Sequence, residues 1–274
     1  MVSVKVASFV GAVALFASAA QMAQVAQAAD LPHLPPVYAP PIEEYVASGW
    51  YLRGDIGMSN QKVKSLDNML FTSDVRVIQK DFDSAPLFGI GFGYQFNHWF
   101  RADLTGEWRG KANFHGLDIV GTTQTNEYRG SKSEWLVLAN IYADLGTWYN
   151  FTPFIGAGIG AAQVTISNFT DTNVPNHGVA FADTASKWNF AWALHAGVSY
   201  KVNSQLSFEF AYRYVSLGDG ITGDIIRFDG VNDFNNPMHF NTITSHDLKF
   251  GVRWLLDAPM EKQPMMMPPL MRKG

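Results

Sequence analysis

Eight segments between Gly49 and Leu256 alternate with a period of two, and one of their two faces is aromatic and aliphatic throughout. From Trp99 to Lys111, Phe100, Ala102, Leu104, Gly106 and Trp108 fall on one face; Arg101, Asp103, Thr105, Glu107, Arg109 and Lys111 fall on the other. Successive side chains of a strand point to opposite faces, so such a segment is a strand with an apolar and a charged side. In the same way Trp50, Leu52, Ile56 and Met58 oppose Tyr51, Arg53 and Asp55, and Leu206, Phe208, Phe210, Tyr212 and Tyr214 oppose Ser207, Glu209, Ala211 and Arg213. Leu248, Phe250, Val252 and Trp254 oppose Asp247, Lys249, Gly251 and Arg253; Phe190, Trp192, Leu194 and Val198 oppose Asn189, His195, Ser199 and Lys201. Phe88, Ile90, Phe92 and Tyr94 alternate with Gly89, Gly91 and Gly93, and Ile155, Ala157 and Ile159 with Gly156, Gly158 and Gly160. In the fourth segment Trp135, Val137, Ala139 and Ile141 oppose Glu134, Asn140 and Asp144, with Leu136 and Leu138 blurring the polar face.

A water-soluble sandwich also alternates, but its outer face is polar. Here the outer face carries Phe, Trp, Tyr, Leu and Ile, while the other carries Gly and paired charges. From Gly49 to Leu256 there is no 18-residue apolar run, so no transmembrane helix is expected there. Connections alternate between short (97–98, 145–150, 203–204) and long (61–84, 112–130, 168–186, 218–241). That combination predicts an all-β protein: an eight-stranded antiparallel transmembrane barrel with short periplasmic turns and four long external loops. Trp50, Trp99, Trp148 and Trp254 fall near the turn end, and Trp108, Trp135, Trp188 and Trp192 near the loop end. They are expected to form two interfacial girdles. Eight strands leave an interior that side chains just fill. Arg53, Asp55, Arg101, Asp103, Glu107, Glu209, Arg213, Asp247, Lys249 and Arg253 are expected to fill it as a charge network, because an unpaired buried charge is costly.

The segments outside the strands have their own signatures. Lys5, the apolar run 6–17 and Ala26-Gln27-Ala28 read as a secretory signal over 1–28; a membrane anchor is the alternative, but the run is short and has no basic stop-transfer flank. Residues 29–48 hold five prolines and read as a periplasmic lead-in. The barrel spans 49–256. Residues 257–274, with five of the ten methionines, read as a Pro/Met-rich periplasmic tail. Even strand number places both termini on the periplasmic side.

Charged residues are only 16% and the net charge is −4, which removes any basic nucleic-acid binder; the absence of Cys removes thiolate chemistry and Cys-based metal sites. Gly156-Ala157-Gly158-Ile159-Gly160-Ala161 imitates a dinucleotide fingerprint, but more strand follows where a helix is required. Ser245-His246-Asp247 spells a triad, yet alternation turns His246 away from the other two. The seven histidines show no metal-ligand spacing, and His195 is read as a hydrogen-bonded interior residue. The tail methionines suit Cu(I) and the carboxylates Asp219, Asp224, Asp229 and Asp233 suit Ca²⁺, but an unstructured tail and a solvated acidic loop explain both. No cofactor, metal or catalytic residue is expected.

The processing region, Gly49-Trp50-Tyr51-Leu52-Arg53-Gly54, the two glycine-alternating strands and the last strand together resemble the eight-stranded outer-membrane barrels of the OmpA-like and porin-like surface-antigen superfamily, the alphaproteobacterial type above all. The resemblance covers 29–256. Family barrels usually end at a terminal aromatic, whereas this chain runs on to Gly274. Lys249, Gly251, Trp254 and Leu256 resemble the signal read by the barrel-assembly machinery. The resemblance implies a multi-pass protein of the bacterial outer membrane, structural and surface-exposed, supporting envelope integrity and contact with environment or host. A channel for small solutes is the alternative, and a lipid-modifying barrel enzyme a third class, for which His195-Ala196-Gly197 lacks the neighbouring Ser. Expected partners are outer-membrane lipid and lipopolysaccharide, the assembly machinery, and peptidoglycan or a host surface.

Overall fold

The structure, a computed structural model, describes residues 48–232 and 234–256. The signal segment 1–28, the lead-in up to residue 47 and the tail 257–274 lie outside the described residues. Among the described residues there are eleven strands: β1 (Gly49–Asp67), β2 (Val75–Phe82), β3 (Ala85–Gln95), β4 (Phe100–Val120), β5 (Gln124–Asp144), β6 (Phe151–Asn173), β7 (Gly178–Ala182), β8 (Ala185–Lys201), β9 (Leu206–Ile221), β10 (Ile225–Arg227) and β11 (His239–Leu255).

Eight of them close a ring. β1 pairs with β3, then β4, β5, β6, β8, β9 and β11 follow, and β11 returns to β1, every pairing antiparallel. Closure leaves no open edge in the membrane-spanning part, the condition for a sheet to cross lipid. The register fixes the stagger. Lys62 pairs with Thr244, Thr244 with Ser216, Ser216 with Trp192 and Trp192 with Ile159. The row continues through Ala139, Leu104 and Phe92 and returns to β1 at Leu52, ten residues below its start. With strand spacing and rise of ordinary size, that shear over eight strands tilts them by about 40°.

The outward face of β1 is apolar from Trp50 to Met58 and then turns to Asn60, Lys62 and Lys64. Nine residues match the span a tilted strand needs to cross hydrocarbon, about 9–11. Above that band the polarity inverts. Val63 and Leu66 now point inward, as do Phe114 on β4 and Phe240 on β11. The strands continue well past the membrane with an inside-apolar, outside-polar pattern.

This inversion corrects two expectations. The stretches 61–84, 112–130, 168–186 and 218–241 are not loops but largely hairpin. β4 and β5 run on to a turn at 121–123, where Gly121 takes a left-handed φ of 62°, and β2, β7 and β10 lie inside the other three stretches. Lys111 does not share the inner face with Arg109. A bulge between Arg109 and Ala112 shifts the phase of β4, so that Lys111 points out and Ala112 points in.

The short turns have local causes. The Asn97 side chain accepts from the amides of Trp99 and Phe100, and Asn203 does the same for Gln205 and Leu206. Both are Asx turns, which set the reversal without the rest of the fold. The glycine strands have a packing cause. A Cβ on Gly91 would stand 2.8 Å from Arg53 Cγ and from Thr105 Cγ2, so the missing side chains make room for the arginines inside.

Candidate functional site

The lumen is where the sequence concentrates charge, and the strand phases aim that charge inward. Arg53, Asp55, Arg101, Asp103, Glu107, Glu209, Arg213, Asp247 and Lys249 are all buried there, and Arg253 is nearly so at the turn end. They form two joined groups. Near the turn end the Glu209 carboxylate meets three guanidinium groups: Arg101 at 3.0 Å, Arg253 at 3.0 Å and Arg53 at 3.2 Å. Arg53 also bridges Asp55 at 2.8 Å and Asp103 at 3.0 Å. Tyr51 and Asn140 donate to Asp103, and Arg101 lies 4.3 Å from the Tyr142 ring centre. Nearer the middle, Arg213 bridges Glu107 and Asp247 at 2.6 Å each. Lys249 links the two groups, 3.2 Å from Asp55 and 3.4 Å from Glu107.

Four lumen charges were not in the expected set. Arg109 is the hub of the middle group: it donates two hydrogen bonds of 2.9 Å to Asp247, one of 3.0 Å to Glu107, and reaches Glu134 and Ser245. Lys132 contacts Glu134, and Asp144 holds Arg101 at 3.2 Å. The signal for Arg109 was present, since it follows Glu107 by two positions on one strand. Lys132 and Glu134 precede Leu136 and Leu138, and those leucines obscured the inward phase. With these four, seven cations (Arg53, Arg101, Arg109, Lys132, Arg213, Lys249, Arg253) face seven carboxylates (Asp55, Asp103, Glu107, Glu134, Asp144, Glu209, Asp247).

Beside and above the charges the lumen is sealed a second time. Leu136 and Leu138 point in level with their register partners Glu107 and Thr105, and join Val164, Ile166, Val215, Leu217 and Ile243. Phe82, Phe114, Phe169 and Phe240 cap them, with Phe114 and Phe240 ring centres 4.9 Å apart. The described residues leave a cavity of about 170 Å³ at the turn-end mouth, lined by Gln95, Asp144, Ser199 and Arg253. His195 faces inward, its Nε2 3.2 Å from Asn140 Oδ1. The barrel wall separates the Ser-His-Asp run: Ser245 and Asp247 are inside, bonded at 2.5 Å, and His246 is outside with Nδ1 2.6 Å from the Tyr212 hydroxyl.

All eight tryptophans project from the outer wall. Trp50, Trp99, Trp148 and Trp254 lie at the turn end; Trp108, Trp135, Trp188 and Trp192 lie at the hairpin end. Of the four residues resembling an assembly signal, Lys249 and Gly251 face the lumen, while Trp254 and Leu256 are on the exposed side.

In the outer hairpins Asp118 accepts from Tyr128 at 2.5 Å and from the Asn126 side chain at 3.0 Å. Asp171 is close to it, eight residues above Gln163 and clear of the apolar band. Burial, and then the Asp118 charge, push the Asp171 carboxyl up to about 7. Asp219 is held below the usual range by the Thr242 amide and then the Lys187 ammonium. The outer end of β6–β7–β10 is acidic and carries exposed Phe181, Ile226 and Phe228.

Comparison with known proteins places these features. The family model for the outer membrane protein beta-barrel domain matches residues 10–254. An uncharacterized protein of Brucella suis is 34% identical over 210 residues, 68% of this chain and 73% of the other. Outer membrane protein PagN of Salmonella typhimurium is 31% identical over 138 residues, 47% of this chain and 56% of its own. A candidate adhesin of Rickettsia rickettsii is 25% identical over 217 residues, 75% of this chain and 87% of that protein. A ring of eight antiparallel strands, a nine-residue apolar band and a family match over nearly the whole barrel make this a multi-pass protein of the bacterial outer membrane, and the chain belongs to the outer membrane protein beta-barrel domain family.

Proposed function

We propose that the protein is a structural, surface-exposed barrel that anchors a raised platform of hairpins above the outer membrane, supporting the envelope and presenting that platform to the environment or a host. The double closure of the lumen carries this reading: an ion-pair network with matched charges lies below an apolar plug. Solute passage would have to break both. Breaking a buried ion pair by removing one partner costs about 3–5 kcal/mol, because the other charge is left uncompensated. Similarity to the Rickettsia candidate adhesin supports surface contact as the task of the hairpins. In this reading both termini lie in the periplasm, the assembly machinery engages the last strand, and peptidoglycan is within reach of the tail.

The test is conductance in planar bilayers together with surface labelling in cells. The unmodified barrel should show small or intermittent currents, and a cysteine placed at Thr123 should react with an impermeant reagent on intact cells. Large, steady single-channel currents would instead establish a solute channel. A mass shift of membrane lipids on incubation would establish an enzyme; the separation of His246 from Ser245 and Asp247 by the barrel wall speaks against that triad.

A further inference from the structure

The outward face of β7 and β10 is apolar in a place that lipid does not reach. Phe181 and Ile226 face each other across the pair, and Phe228, whose amide donates to the Val179 carbonyl, stands opposite Val179. Ala180, Ala182 and Ile225, at the alternate positions, turn inward onto the apolar plug, which leaves those four side chains outside. Phe228 is 73% exposed and Phe181 52%. Phe181 pairs with Thr170, seven residues past Gln163, where Trp135 and Trp188 flank β6 at the edge of the apolar band. Two phenylalanines and an isoleucine side by side in water mark an interaction surface.

The surroundings of that face are acidic. The stretches 168–186 and 218–241 hold six carboxylates and one Lys or Arg, Arg227. Asp229 takes Arg227 at 2.9 Å, and Asp219 takes Lys187, just outside these stretches, at 3.0 Å. The stretch 61–84, four pairings away around the tier, holds four carboxylates and four cations, so the imbalance belongs to this sector. The carboxylates bracket the apolar four. Asp183 follows Phe181 by two positions and Asp224 precedes Ile226 by two, both toward the membrane, while Asp229 lies at the distal end. There a cleft of about 340 Å³ opens, walled by Asp171, Asn126, Asn173, Arg227 and Asp229 and bordered by Phe228. Asp171 is half-buried and has the Asp118 carboxylate, rather than a cation, beside it. A carboxylate in that setting gains from a ligand that brings the missing cation.

This layout selects among occupants. A second copy presenting the same face would set carboxylate against carboxylate, a sulfated polysaccharide would meet like charge, and acyl chains are out of reach. A polypeptide with an apolar centre and a cation on either side answers every group: its apolar side chains cover the phenylalanines, one cation meets Asp183 and Asp224, and the other enters the cleft. In an extended chain alternate residues share a face, so cation, apolar, apolar, cation at every second position reproduces the spacing of Asp224, Ile226, Phe228 and the cleft. We infer that the outward face of β7 and β10, with its distal cleft, is a docking surface for a basic, apolar-centred segment of another protein. The inference rests on the reading of the hairpins as a contact platform and names the class of partner. Binding to purified protein tests the surface whichever way the hairpins face in cells, and labelling at Thr123 tests the orientation, so either can fail without the other.

The experiment uses the full chain in phosphatidylcholine nanodiscs at pH 8 and the fluorescein-labelled heptapeptide Lys-Ser-Phe-Ser-Leu-Ser-Lys, followed by anisotropy. The unmodified protein should bind it at least fivefold more tightly than the same peptide with both lysines replaced by glutamate, or with Phe and Leu replaced by serine. The Phe181→Ser/Phe228→Ser variant should lose at least fivefold, and Asp171→Asn at least threefold. Ile78→Ser, which removes a comparably exposed apolar side chain from β2, should bind as the unmodified protein does. Limited proteolysis of the hairpins checks that each variant is folded; if the double variant fails that check, Phe228→Ser alone carries the measurement. Equal affinity of the folded variants, or of the glutamate peptide, overturns the docking surface. Tighter binding of heparin than of the lysine peptide reassigns the face to a sulfated polysaccharide, and a dimer in sedimentation that Phe228→Ser dissolves reassigns it to a second copy; either overturns the inference.

Discussion

At the scale of single residues, Arg109 and Asp171 illustrate two opposite uses of burial. Arg109 is surrounded by Asp247, Glu107 and Glu134, and its loss takes a buried cation from three carboxylates at once, leaving Arg213, Lys249 and Lys132 to hold them. Arg109→Ala should therefore destabilise the barrel by about 3–5 kcal/mol, read as a lower urea midpoint of the vesicle-inserted protein. A loss below about 1 kcal/mol would show that water already reaches the network. Asp171 is half-buried, with no salt bridge among the described residues, and its carboxyl is pushed up to about 7. An unfolded Asp titrates near 3.9. The folded state thus holds the proton more tightly, and its contribution is favourable while the group is protonated in both states, below about pH 4. Stability is lost progressively from there up to about pH 7 and stays lost above it. Asp171→Asn should remove that dependence. At pH 8 the variant's hairpins should resist protease more than the unmodified ones; at pH 4 the two should match. Faster cleavage of the variant at pH 8 would contradict the assignment.

At the scale of elements, the phases of the ring strands within the band were legible from alternation, except on β5, where the inward Leu136 and Leu138 obscured it, but their lengths were not. Within the band, apolar side chains face lipid and polar ones face the lumen; above it, the same period of two continues with the signs exchanged. On β1, Met58-Ser59-Asn60-Gln61-Lys62 contains the exchange and looks like the start of a loop. On β4 the bulge adds a phase shift at the same height, so Lys111 was assigned to the wrong face. The plug is legible only after that exchange is recognised, because Phe82, Phe114 and Phe240 come from three separate hairpins. Phe240→Ala should cost about 3–5 kcal/mol in that outer core. Limited proteolysis should then nick the hairpins while the membrane-spanning ring keeps its heat-modifiable migration; unchanged protection would show that the hairpins draw their stability from elsewhere. The last strand is a further test. Trp254 is at the interface, where a charge costs only about 0–1 kcal/mol. Trp254→Asp with Leu256→Asp should nonetheless block assembly in cells, while deletion of 257–274 should leave it intact. Normal assembly of the double variant together with failure of the deletion would move the recognised end of the barrel into the tail.

At the scale of the whole described domain, two barrels share one set of strands: a membrane-spanning ring filled with charge and an outer tier filled with rings. Opening a path needs both fillings removed. Glu107→Ala or Arg213→Ala should raise conductance only modestly in planar bilayers, and the addition of Phe240→Ala should raise it several-fold further. If the single lumen changes alone give a steady open pore, the aromatic plug is not a barrier. The outer tier keeps its own apolar interior, and this has a consequence for descent. Its outward side chains, such as Asn113, Arg129 and Thr172, are committed neither to lipid nor to the interior. Substitutions there are close to neutral for stability, typically within about 0.5 kcal/mol. The most visible part of the molecule is thereby the part freest to drift, and a lineage can alter what an antibody meets without altering how the barrel stands.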